Sequence, residues 1–219
     1  MKNDLTDISV ILDRSGSMES VKTDTIGGFN AFLKTQKEAP GEALLTLAQF
    51  DDQYEIVHSG KNIQDVTNLT AETFVPRGMT ALLDAIGRTI NATGVRLSAL
   101  PEAQRPGKVI FVILTDGQEN KSTEFTREKI SEMIKHQTEV YKWDFVFLGA
   151  NQDAIQAGAS IGVMAGNSMT YAANAKGTQA AFVSVGATMC AYRGGDQTLK
   201  SNFFSQADRT AQAQAGAGN

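Results

Sequence analysis

Residues 8–17 read ISVILDRSGS, an apolar strand-length run that passes directly into oxygen-bearing side chains. The run at 8–12 lacks strict polar alternation, which predicts a strand covered on both faces, as in a parallel sheet. Past it, alternate residues of an extended chain project to one side, so Asp13, Ser15 and Ser17 bring a carboxylate and two hydroxyls together. Gly16 allows a sharp backbone turn between the serines, and Glu19 is compatible with a helix starting soon after.

Working outward, three further runs have the length of a buried strand: 43–50 (ALLTLAQF), 109–114 (VIFVIL) and 145–148 (FVFL). Between them lie stripes at helical spacing: Val21, Ile26, Phe29, Phe32 and Leu33, then Ala81, Leu82, Ala85, Ile86 and Ile90. A third covers about 126–141, with Ile130, Met133, Ile134 and Val140 on its apolar face. Strands alternating with helices predict an α/β fold built from βαβ units. The turn Asp51-Asp52-Gln53 before residues 54–58 is too short for a parallel crossover and predicts one antiparallel strand at a sheet edge. Residues 59–79 and 93–107 read as polar surface excursions. A helix is expected near 151–158, a short strand near 168–172 and a last helix over about 177–191. One domain over 1–193 is expected, followed by a disordered tail over 194–219, which is poor in apolar residues and ends AQAQAGAGN.

Composition bounds the function. The 219 residues carry 20 Lys plus Arg against 24 Asp plus Glu, a net charge of −4 without a basic stripe, which argues against nucleic acid as a partner. The single cysteine, Cys190, excludes an intrachain disulfide and reads as a small packed side chain rather than a reactive thiol. No run approaches a signal peptide or a membrane span, so a soluble cytoplasmic protein is expected.

The run at 109–114 ends as the first does, in Thr115-Asp116-Gly117. In open α/β sheets, sites form at the carboxyl ends of strands where the strand order reverses, and two strands ending near an Asp suit such a crevice. Gly78-Met79-Thr80, just ahead of a helix, can add a third hydroxyl. Two carboxylates and three hydroxyls match the oxygen preference of a hard cation and lack the His and Cys ligands typical of zinc. Alone, Asp13-Ser15-Ser17 reads better as a helix-capping turn; Thr80 and Asp116 tip it towards a metal site. Asp51 and Asp52 read as turn residues, and Glu119 and Asn120 as either site border or solvated loop. His58 and His136 have no evident catalytic partner, and no phosphate-binding loop of the G-x-x-x-x-G-K-[ST] type is present.

DRSGSM, GMTALLDAIG and ILTDGQEN resemble, in order and spacing, the three loops of the metal-ion-dependent adhesion site in von Willebrand factor A domains. The resemblance covers about residues 5–192 and is strongest to stand-alone bacterial and phage members, including the tellurite-resistance group. It implies a doubly wound, mostly parallel sheet of about six strands with one antiparallel edge strand and helices on both faces. It implies that Ser15, Ser17 and Thr80 contact a divalent cation while Asp13 and Asp116 act largely through bound water. Mg²⁺ is expected, with Mn²⁺ and Ca²⁺ as alternatives, and an Asp or Glu of a partner protein would complete the coordination. Met79 departs from the family's pattern, which has a small residue beside the threonine. The expectation is therefore a non-enzymatic protein-binding module. A metal-dependent phosphoester hydrolase and a structural subunit of a larger assembly are the alternatives.

Overall fold

The runs at 8–12, 43–50, 109–114 and 145–148 become strands because each can bury both of its faces. In the computed structural model, which describes residues 1–150 and 153–217, they lie within β1 (Lys2–Asp13), β2 (Glu42–Phe50), β4 (Pro106–Thr115) and β5 (Asp144–Ala150). The hairpin strand β3 (Tyr54–Asn62) and the short β6 (Ser168–Tyr171) complete one sheet, ordered β3-β2-β1-β4-β5-β6. Among the described residues, only the β2–β3 pairing is antiparallel. Thus β2 and β3 lie to one side of β1 and β4 to β6 to the other. Chain order reverses between β1 and β4, and a crevice opens there at the carboxyl ends of the strands. The register pairs Leu12 with Leu114, which brings Asp13 and Thr115 to the same level at its mouth.

Alternation along the strands divides the core. Ile8, Val10 and Leu12 pack with Phe29, Phe32, Phe182 and Met189 from α1 (Lys22–Glu38) and α5 (Ala175–Arg193). On the other face, Ile11 packs with Ile86, Ile90, Ile130 and Ala154 from α2 (Leu82–Ser98), α3 (Arg127–Tyr141) and α4 (Ala154–Ser160). Each fully buried aliphatic or phenyl side chain contributes roughly 1.5–3 kcal/mol, so the two layers rather than helix propensity hold the crossovers in place.

Several expectations require correction. The chain after Gly194 is not a disordered tail. Phe203 and Phe204 are buried in the main core, and α6 (Gln206–Gly216) follows behind a Ser205–Asp208 capping box. Gln212 Nε2 donates to Gly177 O at 3.1 Å, and the Asn174 side chain donates to Ala215 O at 3.1 Å, which binds α6 to α5 and its cap. Nor is 59–79 merely surface: Ile63, Val66, Leu69 and Phe74 are buried, with Leu69 held by both side-chain atoms of Asn30. Helix α2 continues through Thr93 and Gly94 to Ser98. In α3, Ile130 and Ile134 face the core, but Val140 is 56% exposed, because the helix turns it out before ending at the left-handed Lys142. The helix expected near 151–158 starts at Ala154, and residues 151 and 152 lie outside the described residues. Cys190 is half-buried, and its sulfur accepts from Gln36 Nε2 at 3.4 Å. Among the described residues, no helix is long and apolar enough to cross a membrane.

Candidate metal centre

The chain leaves β1 by a turn that Asp13 itself organises: its Oδ1 accepts from the Ser15 amide at 2.7 Å and its Oδ2 from the Thr115 hydroxyl at 2.5 Å. Ser15 is extended, and a short 3-10 turn over Gly16–Val21 then leads into α1, so Ser15 and Ser17 come side by side with their hydroxyls 3.2 Å apart. The Ser17 hydroxyl donates to Asp116 Oδ1 at 2.6 Å, crossing from the β1 loop to the β4 loop. Thr80 arrives from the loop before α2, and the Gly16 amide ties the two loops by donating to Gly78 O at 3.2 Å.

Gly117 shows how closely these groups converge. A Cβ at this position would lie 2.9 Å from Thr80 Oγ1, 3.6 Å from Ser17 Oγ and 3.7 Å from Ser15 Oγ. The three hydroxyls therefore surround a space that only the missing glycine side chain leaves open. Asp13, Ser15, Thr80 and Asp116 are buried, whereas Ser17 is exposed and marks the side open to solvent.

All five residues singled out in the sequence thus line one crevice. Neither carboxylate there has a cationic partner among the described residues, since Arg14, the nearest arginine in sequence, is engaged by Asp51 and Glu55. Burial pushes the Asp13 carboxyl up to about 6 against the opposing bonds from Thr115 and Ser15, and the Asp116 charge adds to the rise. Burial likewise raises Asp116, with Ser17 opposing. Two desolvated carboxylates without a counter-charge form a site whose ionised state needs a cation. Among the described residues, no three His, Cys, Asp or Glu side chains cluster as metal ligands, so a cation here would depend on the hydroxyls. Hydroxyl and carboxylate oxygens suit a hard divalent ion, and this donor set fits one.

The sequence matches no protein-family model, and no curated protein resembles it. Solved structures do. A pilus adhesin, SpaC from Lactobacillus rhamnosus GG in its open conformation, aligns over 87% of this chain and 30% of its own, with a TM-score of 0.65 and 15% identity. Proximal thread matrix protein 1 from the mussel byssus, with a zinc-occupied MIDAS motif, aligns over 86% and 48%, with a TM-score of 0.59 and 13% identity. The ArnB paralog VWA2 from Sulfolobus acidocaldarius aligns over 84% and 45%, with a TM-score of 0.51 and 16% identity. The chain has a von Willebrand factor A fold. It spans less than half the length of each of these proteins.

Within this von Willebrand factor A fold, several residues that frame the crevice were not singled out as site residues in the sequence. Thr115 orients Asp13 and is fully buried. Asn120, read there as either border or solvated loop, grips the Thr80 backbone, while Glu119 accepts from the Leu83, Lys121 and Ser122 amides and so joins the β4 loop to the start of α2. Asp51, read as a turn residue, is fully buried and accepts from Arg14 Nε at 3.0 Å, Arg77 Nε at 2.9 Å and the Gln53 amide at 2.6 Å. It thereby fastens the β1 loop and the Thr80 loop to the end of β2. The signal in the sequence was the pair of arginines, Arg14 within the first site loop and Arg77 three residues before Thr80, each needing an anion. Met79 is 51% exposed and stands beside Thr80 on the rim.

Proposed function

We propose that this chain is a metal-dependent protein-binding module, in which Asp13, Ser15, Ser17, Thr80 and Asp116 hold one divalent cation that captures an acidic side chain of a partner. The convergence of three hydroxyls on the Gly117 space, beside two carboxylates without a counter-cation, carries the reading. In it Ser15, Ser17 and Thr80 contact the ion while Asp13 and Asp116 supply charge from behind them. Neutral hydroxyl ligands offset little of the ion's charge, which leaves it electrophilic towards a carboxylate from outside. Magnesium fits this oxygen-only set best. The mussel protein's zinc-occupied motif and the adhesin's description are consistent with a cation-centred interaction site on this fold. The exposed Met79 would pack against an apolar neighbour of the captured carboxylate.

Calorimetric titration with Mg²⁺, Mn²⁺, Ca²⁺ and Zn²⁺, paired with pull-downs in Mg²⁺ or EDTA, tests the proposal. Wild type should bind one divalent ion and retain a partner only in its presence; Asp13→Asn should lose both. With its buried charge removed, Asp13→Asn should also melt higher than wild type in EDTA at neutral pH. Partner retention that ignores both EDTA and Asp13→Asn would sink the reading.

A further inference from the structure

Tyr171, the last residue of β6, is 1% exposed, yet among the described residues its hydroxyl has no hydrogen-bond partner. A buried phenol normally finds one, because leaving the group unpaired costs about 1–3 kcal/mol. Its place in the sheet indicates where the partner belongs. Thr115 is level with Gly149, Gly149 with Thr170, and Ala150 with Tyr171. Tyr171 therefore stands one residue beyond the level of Thr115, which is the level of Asp116. Leu114, Ala150 and Tyr171 share the core layer under α1 and α5, and Asp116, two residues after Leu114, is directed to that side. The strand between them places the small Ala150 at that level.

Electrostatics agrees with this placement. Burial holds the Tyr171 phenol well above its usual range, and the charges of Asp116 and then Asp13 raise it further. The hydroxyl is thus near enough to both carboxylates to feel their charge but hydrogen-bonds to neither, and a bridging water is the ordinary way such groups are joined.

We propose that Tyr171 is a positioning residue of the metal centre, its hydroxyl donating through a bridging water to the Asp116 carboxylate and fixing the orientation in which that carboxylate faces the cation. This rests on the metal-binding reading above. Residues that orient ligands from behind in this way change metal affinity by about 10–100-fold when removed. The direct ligands stay untouched, so the fold should not depend on the phenol.

The test is Tyr171→Phe, which keeps the ring and removes only the unpaired oxygen. Mg²⁺ affinity is measured by calorimetry and metal-free stability by thermal melting in EDTA, and the tyrosine near-ultraviolet difference spectrum on adding Mg²⁺ is compared with wild type. The expected result has three parts: affinity about tenfold weaker, a melting temperature in EDTA equal to or above wild type, and a wild-type difference spectrum that the variant lacks. Equal affinity in the two proteins overturns the proposal, and so does a weakened affinity accompanied by a lower metal-free melting temperature, which would make Tyr171 a general packing residue. If wild type itself binds no divalent ion, the metal-binding reading fails first, and the role of Tyr171 falls with it. An outcome in which wild type binds Mg²⁺ and Tyr171→Phe matches it removes the tyrosine alone.

Discussion

Asn120 holds Thr80 by two hydrogen bonds: its Oδ1 accepts from the Thr80 amide at 2.9 Å, and its own amide donates to Thr80 O at 3.1 Å. The loop that ends β4 thereby sets the backbone from which the third hydroxyl projects. Replacing Asn120 with Ala removes one of the two and leaves the Thr80 amide unpaired. Stability should fall by about 1–2 kcal/mol. Mg²⁺ affinity should fall by about tenfold, because Thr80 is no longer held in register with Ser15 and Ser17. Chemical denaturation and calorimetry measure the two effects, and an unchanged affinity would detach Asn120 from the site.

Gly117→Ala probes the space among the hydroxyls directly. The added methyl would lie 2.9 Å from Thr80 Oγ1, so the threonine side chain must turn away while the backbone remains in place. The variant should fold with a wild-type circular dichroism spectrum and lose the Mg²⁺-induced rise in melting temperature. A full metal shift in this variant would show that the ion does not sit among the three hydroxyls.

Asp51 predicts an acid limit. Burial pushes its carboxyl up, but the Gln53 amide, Arg77 and Arg14 together outweigh it and hold the pKa below 3.8. A carboxyl depressed in the folded protein adds stability above its unfolded pKa and loses it as pH falls from about 3.8 towards the lower folded value. Wild type should therefore lose stability steeply below about pH 4. Asp51→Asn, less stable by about 3 kcal/mol at neutral pH because Arg14 and Arg77 lose their shared anion, should show a shallower acid slope. Equal slopes in urea melts between pH 5 and 2.5 would remove Asp51 from the account.

The segment after Gly194 predicts a truncation effect. Deleting residues 197–219 removes Phe203 and Phe204, both buried against the α1–α5 layer. Loss of a buried phenyl costs about 3–5 kcal/mol, so the truncated chain should be severely destabilised or should not fold. A truncated protein melting within a few degrees of the full chain would return this segment to the status of a tail.

The strands were legible in the sequence because a strand buried on both faces needs an unbroken apolar run. Four of the five candidate site residues were legible because they stand at or just past the ends of those runs, while Thr80 was legible from its place ahead of a helix. The misread segments lack periodicity for identifiable reasons. Helix α6 packs through Ala215 and Gln212, a small residue and an amide, so its buried side carries almost no hydropathy signal. The adjacent Phe203-Phe204 pair, placed edge to face at 5.2 Å, was the overlooked sign that the chain returns to the core. Over 59–79 the buried residues Ile63, Val66, Leu69 and Phe74 anchor a loop through Asn30 rather than an element with a repeat. Asp51 was read by its turn position alone. Its role arises from two arginines distant in the chain, which local spacing does not reveal.

The two ends of the sheet have one further consequence. Beside β6, Arg209 donates to Ser168 O at 2.9 Å and to Ala165 O at 3.1 Å, while Gln212 accepts from the Ala172 amide at 3.3 Å. At the opposite end, the pairing of β3 with β2 slips twice, between Leu45 and Leu47 and between Leu47 and Ala48. An irregular strand and a strand clasped by side chains are both poor templates for a neighbour's backbone. Both outer strands of the sheet thus carry features that disfavour the addition of a neighbour's strand.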